Sequence, residues 1–349
     1  MGKKTIGVLF GGCSPEYGIS LQSAYNVITH MDGEKYQPVL IGINRAGAWS
    51  CFSGAPEKIK DDTWHNPADC LKAIISPDRE NHGVLVFDQY HPRTIRLDAA
   101  MPVLHGKNGE DGTVQGLLEL AGIPIVGCGT LASALCLDKY KAHKIAAANG
   151  IRAARSFTVR SKADKAAYAE QAENLGYPLF VKPVKAGSSY GISRVLSKND
   201  LCAAIKLAFI YDDEVIIEEN IPGCEIGCAI LGNDSLIVGE IDEIELSGGF
   251  FDYNEKYTLE TSAIHVPARL SKQKAEEITG LAKSIYIALG CRVLARVDMF
   301  LTPSGEIVFN EVNTVPGLTA HSRFPHMLKA IGMTFAEIID AAIELALED

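Results

Sequence analysis

Two short runs near the carboxyl end, Arg296-Val297-Asp298 and Glu311-Val312-Asn313, most tightly constrain how this chain can fold. Side chains alternate between faces along a β-strand, so a spacing of two puts Arg296 and Asp298 on one face, and Glu311 and Asn313 likewise. Residues 293–300 and 307–312 around them are apolar and β-branched enough to read as successive strands. Paired antiparallel, these strands bring Asp298, Glu311 and Asn313 together as hard oxygen ligands. Such a set suits magnesium when a nucleotide supplies the remaining oxygens. The competing reading is an exposed polar face of a two-layer sheet. Two consecutive strands of the same pattern, followed at once by Thr314-Val315-Pro316-Gly317, weigh against it.

The rest of the chain alternates strands with helices. Residues 5–10 form a β-branched apolar run ending in Gly11-Gly12, which reads as a buried strand feeding a tight turn. A helix over 20–29, strands over 36–43 and 101–104, and a helix over 113–121 follow, with a glycine-rich loop before the last. This alternation predicts a parallel sheet with ligands at the carboxyl ends of its strands. Gly122-Ile123-Pro124 reads as a helix stop and the first domain boundary.

The middle segment predicts a helix over 133–149, a strand over 156–159, a helix over 163–175, and strands over 179–181, 192–195 and 215–219. The last segment predicts strands over 225–231 and 236–245 besides the two polar-patterned ones, and helices over 272–289 and 335–347. Residues 246–261 are polar, aromatic and too long for an ordinary connection, a length typical of a lid.

The 349 residues allow two or three domains, and 47% hydrophobic with 22% charged composition excludes disorder. A net charge of −10 argues against an extended nucleic-acid face, while a local Lys and Arg cluster can still hold phosphate. The nine cysteines are scattered without zinc or CxxC spacing, as expected of reduced residues in the cytoplasm. No uncharged apolar stretch approaches the roughly 20 residues that span a bilayer, so a soluble protein without membrane partners is expected. Lys182, at a strand end, precedes the small-residue loop Ala186-Gly187-Ser188-Ser189-Tyr190-Gly191. Backbone N–H groups there can approach phosphate closely, although such a loop is more often a simple turn. Neither a Walker A loop nor a G-x-G-x-x-G dinucleotide fingerprint is present, which disfavours a dehydrogenase.

Together these residues resemble the D-alanine–D-alanine ligases of the ATP-grasp superfamily. The resemblance runs through Gly11-Gly12-Cys13-Ser14-Pro15-Glu16, His105 to Gly112, Leu137-Asp138-Lys139, Val181-Lys182-Pro183 with Gly187-Ser188-Ser189, Glu255-Lys256-Tyr257, Arg296-Val297-Asp298, and Glu311 to Gly317. It implies an α/β, three-domain ATP-grasp fold. A Rossmann-like parallel-sheet domain at 1–122 is followed by α+β domains at 123–218 and 219–349 that sandwich ATP, with the lid at 246–261. It also implies a homodimer through the N-terminal segment.

By this resemblance Lys139, Lys182, Ser189 and Lys256 contact the nucleotide, Glu218 and the backbone of Glu219 and Ile221 meet adenine, and Glu225 holds the ribose. Asp298, Glu311 and Asn313 hold two magnesium ions, with manganese as an alternative. ATP phosphorylates the first D-amino acid, and the amine of the second attacks the acyl phosphate. Arg296 and the N–H of Gly317 resemble an oxyanion hole. Glu16 anchors the first substrate's ammonium and joins Ser188 and Tyr257 in a hydrogen-bonded set. His105 and Glu110 support that loop. Relatives that use D-lactate tend to lack the tyrosine, so Tyr257 points to an amine nucleophile.

One departure remains. Ser322-Arg323 follows Pro316-Gly317, where ordinary dipeptide ligases carry an apolar residue in place of Arg323. In this the chain resembles the vancomycin-resistance D-alanine–D-serine ligases, with Phe251 and Asp242 positioned to hold the arginine, so D-alanine and D-serine are the expected substrates. The competing expectations are a solvent-facing Arg323, an ordinary D-alanine–D-alanine ligase, an ATP-grasp enzyme of carboxylase or purine chemistry, and a non-catalytic nucleotide-binding regulatory module.

Overall fold

In the computed structural model, residues 2–88, 91–160, 165–187, 190–246, 262–319 and 321–348 are described. They form an α/β fold of three sheets. The first sheet holds β1 (Lys4–Gly11), β2 (Tyr36–Ile43), β3 (Trp49–Phe52), β4 (Cys70–Ile75), β5 (Gly83–Phe87), β6 (Pro92–Arg96) and β7 (Ala99–Val103), in the order β6-β5-β4-β3-β2-β1-β7. Helices α1 (Tyr17–His30), α2 (Glu57–Lys60) and α3 (Thr113–Ala121) belong to this part of the chain. Strand β1 runs parallel to β2 and β7, as the strand–helix alternation predicts.

The expectation of a purely parallel sheet is corrected, because β2 through β6 pair antiparallel in succession. The β2–β3, β4–β5 and β5–β6 connections are shorter than the dozen or more residues that a parallel crossover needs, whereas the β3–β4 connection is longer and carries α2. Between β2 and β3 the turn is stapled by Asn44, whose side-chain oxygen accepts from the N–H of Ala46 and Ala48 at 3.0 and 2.9 Å. Beyond α3 the chain returns to the sheet edge, where Val126 donates to the Ala100 carbonyl at 2.8 Å.

Helices α4 (Thr130–Leu137) and α5 (Lys139–Ala148) replace the single helix expected over 133–149. Asp138 causes the break: it is extended, at φ −81° and ψ 92°, and its carboxylate caps α5 by accepting from Lys141 N–H. Lys139 thereby starts a new helix. The second sheet, β8 (Ser156–Arg160), β9 (Leu179–Pro183), β10 (Ser193–Val195) and β11 (Glu214–Glu219), has the order β10-β9-β11-β8 and is antiparallel. Helices α6 (Lys165–Leu175) and α7 (Lys198–Ala208) complete its core.

The third sheet holds β12 (Cys224–Leu231), β13 (Ile237–Val238), β14 (Asp242–Leu246), β15 (Ser262–His265), β16 (Leu294–Leu301) and β17 (Ile307–Asn313), in the order β15-β14-β12-β16-β17 with β13 beside β12. The single strand expected over 236–245 is two strands. Between them Gly239 donates to the Ala229 carbonyl and Glu240 to that of Met327. Alternation along β12 sorts its neighbours. Ile226, Cys228 and Ile230 join the core under α8 (Lys272–Ala288), whereas Ala229 and Leu231 join the core beneath α9 (Arg323–Ala330) and α10 (Phe335–Ala346). The lid residues 247–261 lie outside the described residues.

The two ends of the chain share one core. Ile338, Ile339, Ala342 and Ile343 of α10 cluster with Ile6 and Val8 of β1 and with Leu21 of α1. A polar clamp reinforces it: the buried Tyr36 hydroxyl lies 2.6 Å from Asp340 and 3.0 Å from Glu344, and Lys35 bridges to Asp340 at 2.7 Å. Replacing Tyr36 by Phe removes the one hydroxyl donor that the two carboxylates share, and a hydrogen bond to a charged group is worth about 1.5–3 kcal/mol. Denaturant unfolding of Tyr36→Phe should show a loss of that size; an unchanged midpoint would mean that the clamp does not hold the ends together.

Candidate active site

The two polar-patterned strands meet in the expected register. Arg296 pairs with Asn313 and Asp298 with Glu311, and a bulge follows Asp298. Asp298 is buried and its carboxylate is clasped by Arg296, Nε to Oδ1 at 2.8 Å and Nη2 to Oδ2 at 2.7 Å. Asn313 Nδ2 also donates to Asp298 Oδ2, at 3.0 Å. Among the described residues no three His, Cys, Asp or Glu side chains converge as a metal cage. The donor set is instead two carboxylates and an amide, all oxygen donors, which fits magnesium that keeps ligands from a phosphate or water.

Lys139 and Lys182 approach this edge from two other elements. At the start of α5, Lys139 donates to the Ala186 carbonyl at 2.8 Å and lies 3.5 Å from Glu311. From β9, Lys182 pairs with Glu218 on β11 at 2.6 Å. Burial works against the Lys182 ammonium, but the facing Glu218 outweighs it and the pKa rises. Burial likewise opposes the Glu218 carboxylate, and Lys182 holds it below the usual range. The other oxygen of Glu218 is buried without a hydrogen-bond partner among the described residues. An acceptor of that kind suits an amine donor such as that of adenine. Glu219 is committed elsewhere: its carboxylate binds Arg152 and Arg155, and its N–H donates to the Arg155 carbonyl.

Glu16, in the loop after β1, reaches towards the central loop. A Cβ added at Gly106 would fall 2.7 Å from its carboxylate, and one at Gly187 would fall 3.0 Å away. Ser188, Ser189, Phe251, Lys256 and Tyr257 lie outside the described residues. Behind Glu16, the Ser14 hydroxyl donates to the His105 carbonyl, and Gly106 donates to Glu110 at 2.7 Å. Burial, and after it the charge of Glu16, push the Glu110 carboxyl up to about 8. Burial also lowers the His105 imidazole. Glu110, Lys139, Gly187, Glu311, Asn313 and Thr314 line a small cleft of about 30 Å³.

Arg323 opens α9, and its guanidinium is buried in carboxylates. Nε and Nη2 donate to the two oxygens of Asp242 at 2.6 and 2.8 Å, Nη1 donates to Glu225 at 2.6 Å, and Nη2 lies 3.5 Å from Asp298. Burial disfavours the cation, but Asp242 and then Asp298 more than offset this and raise its pKa. The solvent-facing alternative for Arg323 is thus overturned. Glu225, which the resemblance assigns to the ribose, here also anchors the arginine. Ser322 staples the preceding turn, accepting from the N–H of Thr319 at 3.0 Å, and a Cβ on Gly317 would fall 2.7 Å from its hydroxyl.

One residue absent from the sequence reading joins the site. His143, one turn after Lys139 on α5, binds the carbonyl of Asn310 at 2.7 Å and lies 3.7 Å from Glu218. The signal was available, since residues four apart share a helix face.

Comparison with known proteins agrees with this geometry. The family model described as D-ala D-ala ligase N-terminus matches residues 5–128, and that of the D-ala D-ala ligase C-terminus matches residues 145–344. The crystal structure of VanG D-Ala:D-Ser ligase from Enterococcus faecalis is 52% identical, with a TM-score of 0.92, covering 99% of this chain and 100% of that one. The vancomycin B-type resistance protein VanB of Enterococcus faecalis is 45% identical over all of both chains. A D-alanine–D-alanine ligase from Caldicellulosiruptor bescii is 42% identical, over 100% of this chain and 96% of its own. Strand pattern, buried lysines and carboxylate edge thus have one source: this chain belongs to the D-alanine–D-alanine ligase family of ATP-dependent ligases.

Proposed function

We propose that this chain is an ATP-dependent D-alanine–D-serine ligase that makes a peptidoglycan-precursor dipeptide through a D-alanyl phosphate, and that it serves vancomycin resistance. The observation that carries the D-serine reading is the buried, carboxylate-caged Arg323. Its neighbour by structure, VanG, is described as a D-Ala:D-Ser ligase. In this reading the chain has the ATP-grasp arrangement, with a Rossmann-like N-terminal domain at 1–122 followed by a central domain at 123–218 and a C-terminal domain at 219–349 that hold ATP between them. It acts in the cytoplasm as a homodimer. Among the described residues no helix is long and apolar enough to cross a membrane.

Chemistry follows from the residues. Glu16 takes the ammonium of D-alanine. Lys139 and Lys182 face the phosphates, where their charge stabilises the transferring phosphoryl group. Asp298, Glu311 and Asn313 would hold two magnesium ions, which when bound offset the negative charge of the phosphates. Arg296, fixed by its two-pronged bond to Asp298, and the N–H of Gly317 stabilise the oxyanion formed when the amine of the second substrate attacks. The lid at 246–261, with Lys256 and Tyr257, keeps water from the acyl phosphate.

At the second subsite Arg323 is not left without a partner when a methyl group lies beside it. Arginine has five N–H donors, and three of them already meet Asp242 and Glu225. Selectivity then comes from what is left: a second Nη1 N–H for the serine hydroxyl to accept, and carboxylate oxygens for it to donate to. A methyl group makes neither contact and still desolvates the cage, which costs on the order of 1–3 kcal/mol.

Three measurements test the reading. Wild-type protein should show kcat/KM for D-Ser above that for D-Ala, and Arg323→Leu should shift the ratio towards D-Ala by about ten- to a hundredfold. Arg323→Lys, which keeps a charge against Asp242 but loses the fork, should shift it the same way while preserving the fold. A wild-type preference for D-Ala or D-lactate, or an unmoved ratio, refutes the D-serine assignment. Glu311→Gln should lower phosphate release by at least about a hundredfold with an unchanged circular-dichroism spectrum; near wild-type turnover would remove Glu311 from the metal site.

The third concerns pH. Glu110 holds its proton to about pH 8 in the folded chain but loses it near 4.3 when unfolded. Between those values the folded state binds the extra proton, so stability falls as pH rises, by at most about 1.4 kcal/mol per unit. Unfolding at pH 5, 6.5 and 8 should show that decline in wild type and a flatter one in Glu110→Gln; equal slopes would mean that Glu110 is ionised throughout.

A further inference from the structure

The cage around Arg323 has a hole at its centre, and the hole is a glycine. Gly227 sits in the middle of β12, directly opposite Asp242 on β14 and directly opposite Asp298 on β16. Residues directly opposite one another in a sheet share a face, and so do residues two apart on one strand. Glu225 therefore stands on the same face two residues away. Three acids surround one position that has no side chain.

The Arg323 guanidinium lies over that position. A Cβ built on Gly227 would fall 2.5 Å from Arg323 Nη2, 2.6 Å from Asp242 Oδ1 and 3.0 Å from Asp298 Oδ1. Real Cβ atoms do not show the first two distances, so any residue but glycine must displace the guanidinium and the Asp242 carboxylate that grips it. Backbone conformation does not explain the glycine, because Gly227 is not among the residues at positive φ. Nor does strand stability, since glycine in a strand interior costs conformational entropy and packs nothing. The flanking Ile226 and Cys228 are fully buried on the opposite face, so the strand itself is well fixed.

We propose that Gly227 is a specificity-determining positioning residue: its missing side chain is the slot that seats the Arg323 guanidinium between Asp242, Asp298 and Glu225, and so places it for the second substrate. The slot also brings the specificity arginine within reach of two residues expected to serve the nucleotide and its metal, Glu225 and Asp298. The substrate part of this proposal rests on the D-serine reading; the seating of Arg323 does not.

A double-mutant cycle separates the two. Gly227→Ala in the wild-type background should lower the D-Ser to D-Ala ratio of kcat/KM at least tenfold and raise KM for the second amino acid, with KM for ATP within twofold. It should also lower the melting temperature. In the Arg323→Lys background, where no Nη2 overlies the glycine, the same change should move the ratio less than twofold. There the melting temperature should fall by less than in the wild-type background, because only the approaches to Asp242 and Asp298 remain to be relieved. Equal losses in both backgrounds would show that Gly227 acts through Asp298 or the fold, and would overturn the proposal, as would an unmoved ratio and KM in the wild-type background. If wild type prefers D-Ala, the D-serine reading fails by itself, while the background-dependent change in second-substrate KM and melting temperature still decides the role of Gly227.

Discussion

The site depends on one buried carboxylate, that of Asp298. An ionised group taken out of water is costly unless opposite charge and hydrogen bonds replace the lost solvent. Here Arg296 grips both oxygens from the same strand, Asn313 donates from the next, and Arg323 approaches from a helix across the sheet. Each partner must be held in place by its own element. Asp298 therefore ties the register of β16 and β17 to the start of α9. A one-residue slip of β17 would turn Glu311 and Asn313 to the other face and leave the carboxylate under-partnered, so the polar pattern and the pairing specify each other.

That arrangement also explains why the chain's ends must meet. Arg323 reaches Asp242 only because α9 lies flat on the face of β12 that carries Gly227, Ala229 and Leu231. Phe324, Met327 and Leu328 secure it there, in the same apolar cluster as β1, α1 and α10. The loop from Pro316 to Ser322 is further tied to α1, through the N–H of Leu318 and the Ser23 hydroxyl at 3.3 Å. The N-terminal part and the helix that carries Arg323 thus rest on one shared core, and hydrophobic burial holds the polar geometry.

Local sequence made some of this legible and hid the rest for physical reasons. The strands at 5–10, 36–43, 293–300 and 307–312 carry strong period-two or apolar runs and were readable to within a residue or so. Strand β6, Pro92–Arg96, is almost wholly exposed at a sheet edge, where no burial imposes a pattern. Trp49–Phe52 is too short to show a period. The division of α4 from α5 turned on a single cap, Asp138, inside an otherwise continuous helical composition. Helix α9 was masked by Pro325, which is tolerated only because it falls in the first turn. Asp298, Glu311 and Asn313 could be placed together because two adjacent strands carry them. The meeting of Gly227, Asp242 and Arg323 could not, because it depends on the pairing of β12 with β14 and on a helix nearly a hundred residues later.

The charge balance of the cleft finally bears on how nucleotide and metal must enter. Among the described residues, Lys139, Lys182, Arg296 and Arg323 bring four formal positive charges, and Glu218, Glu225, Asp242, Asp298 and Glu311 bring five negative ones. Every cation is already matched to an acid, in a protein whose net charge is −10. Such a cluster offers no surplus positive field to a bare triphosphate. The same acids that neutralise the lysines are hard oxygen donors, however, and divalent cations bound to them change the sign of the local field. A nucleotide accompanied by its cations therefore meets a site of opposite charge, whereas a nucleotide alone meets a neutral or slightly negative one. On the proposed reading, coupling of this kind would make the metal a condition of productive nucleotide binding, and it would follow from the pairing of the protein's own charges.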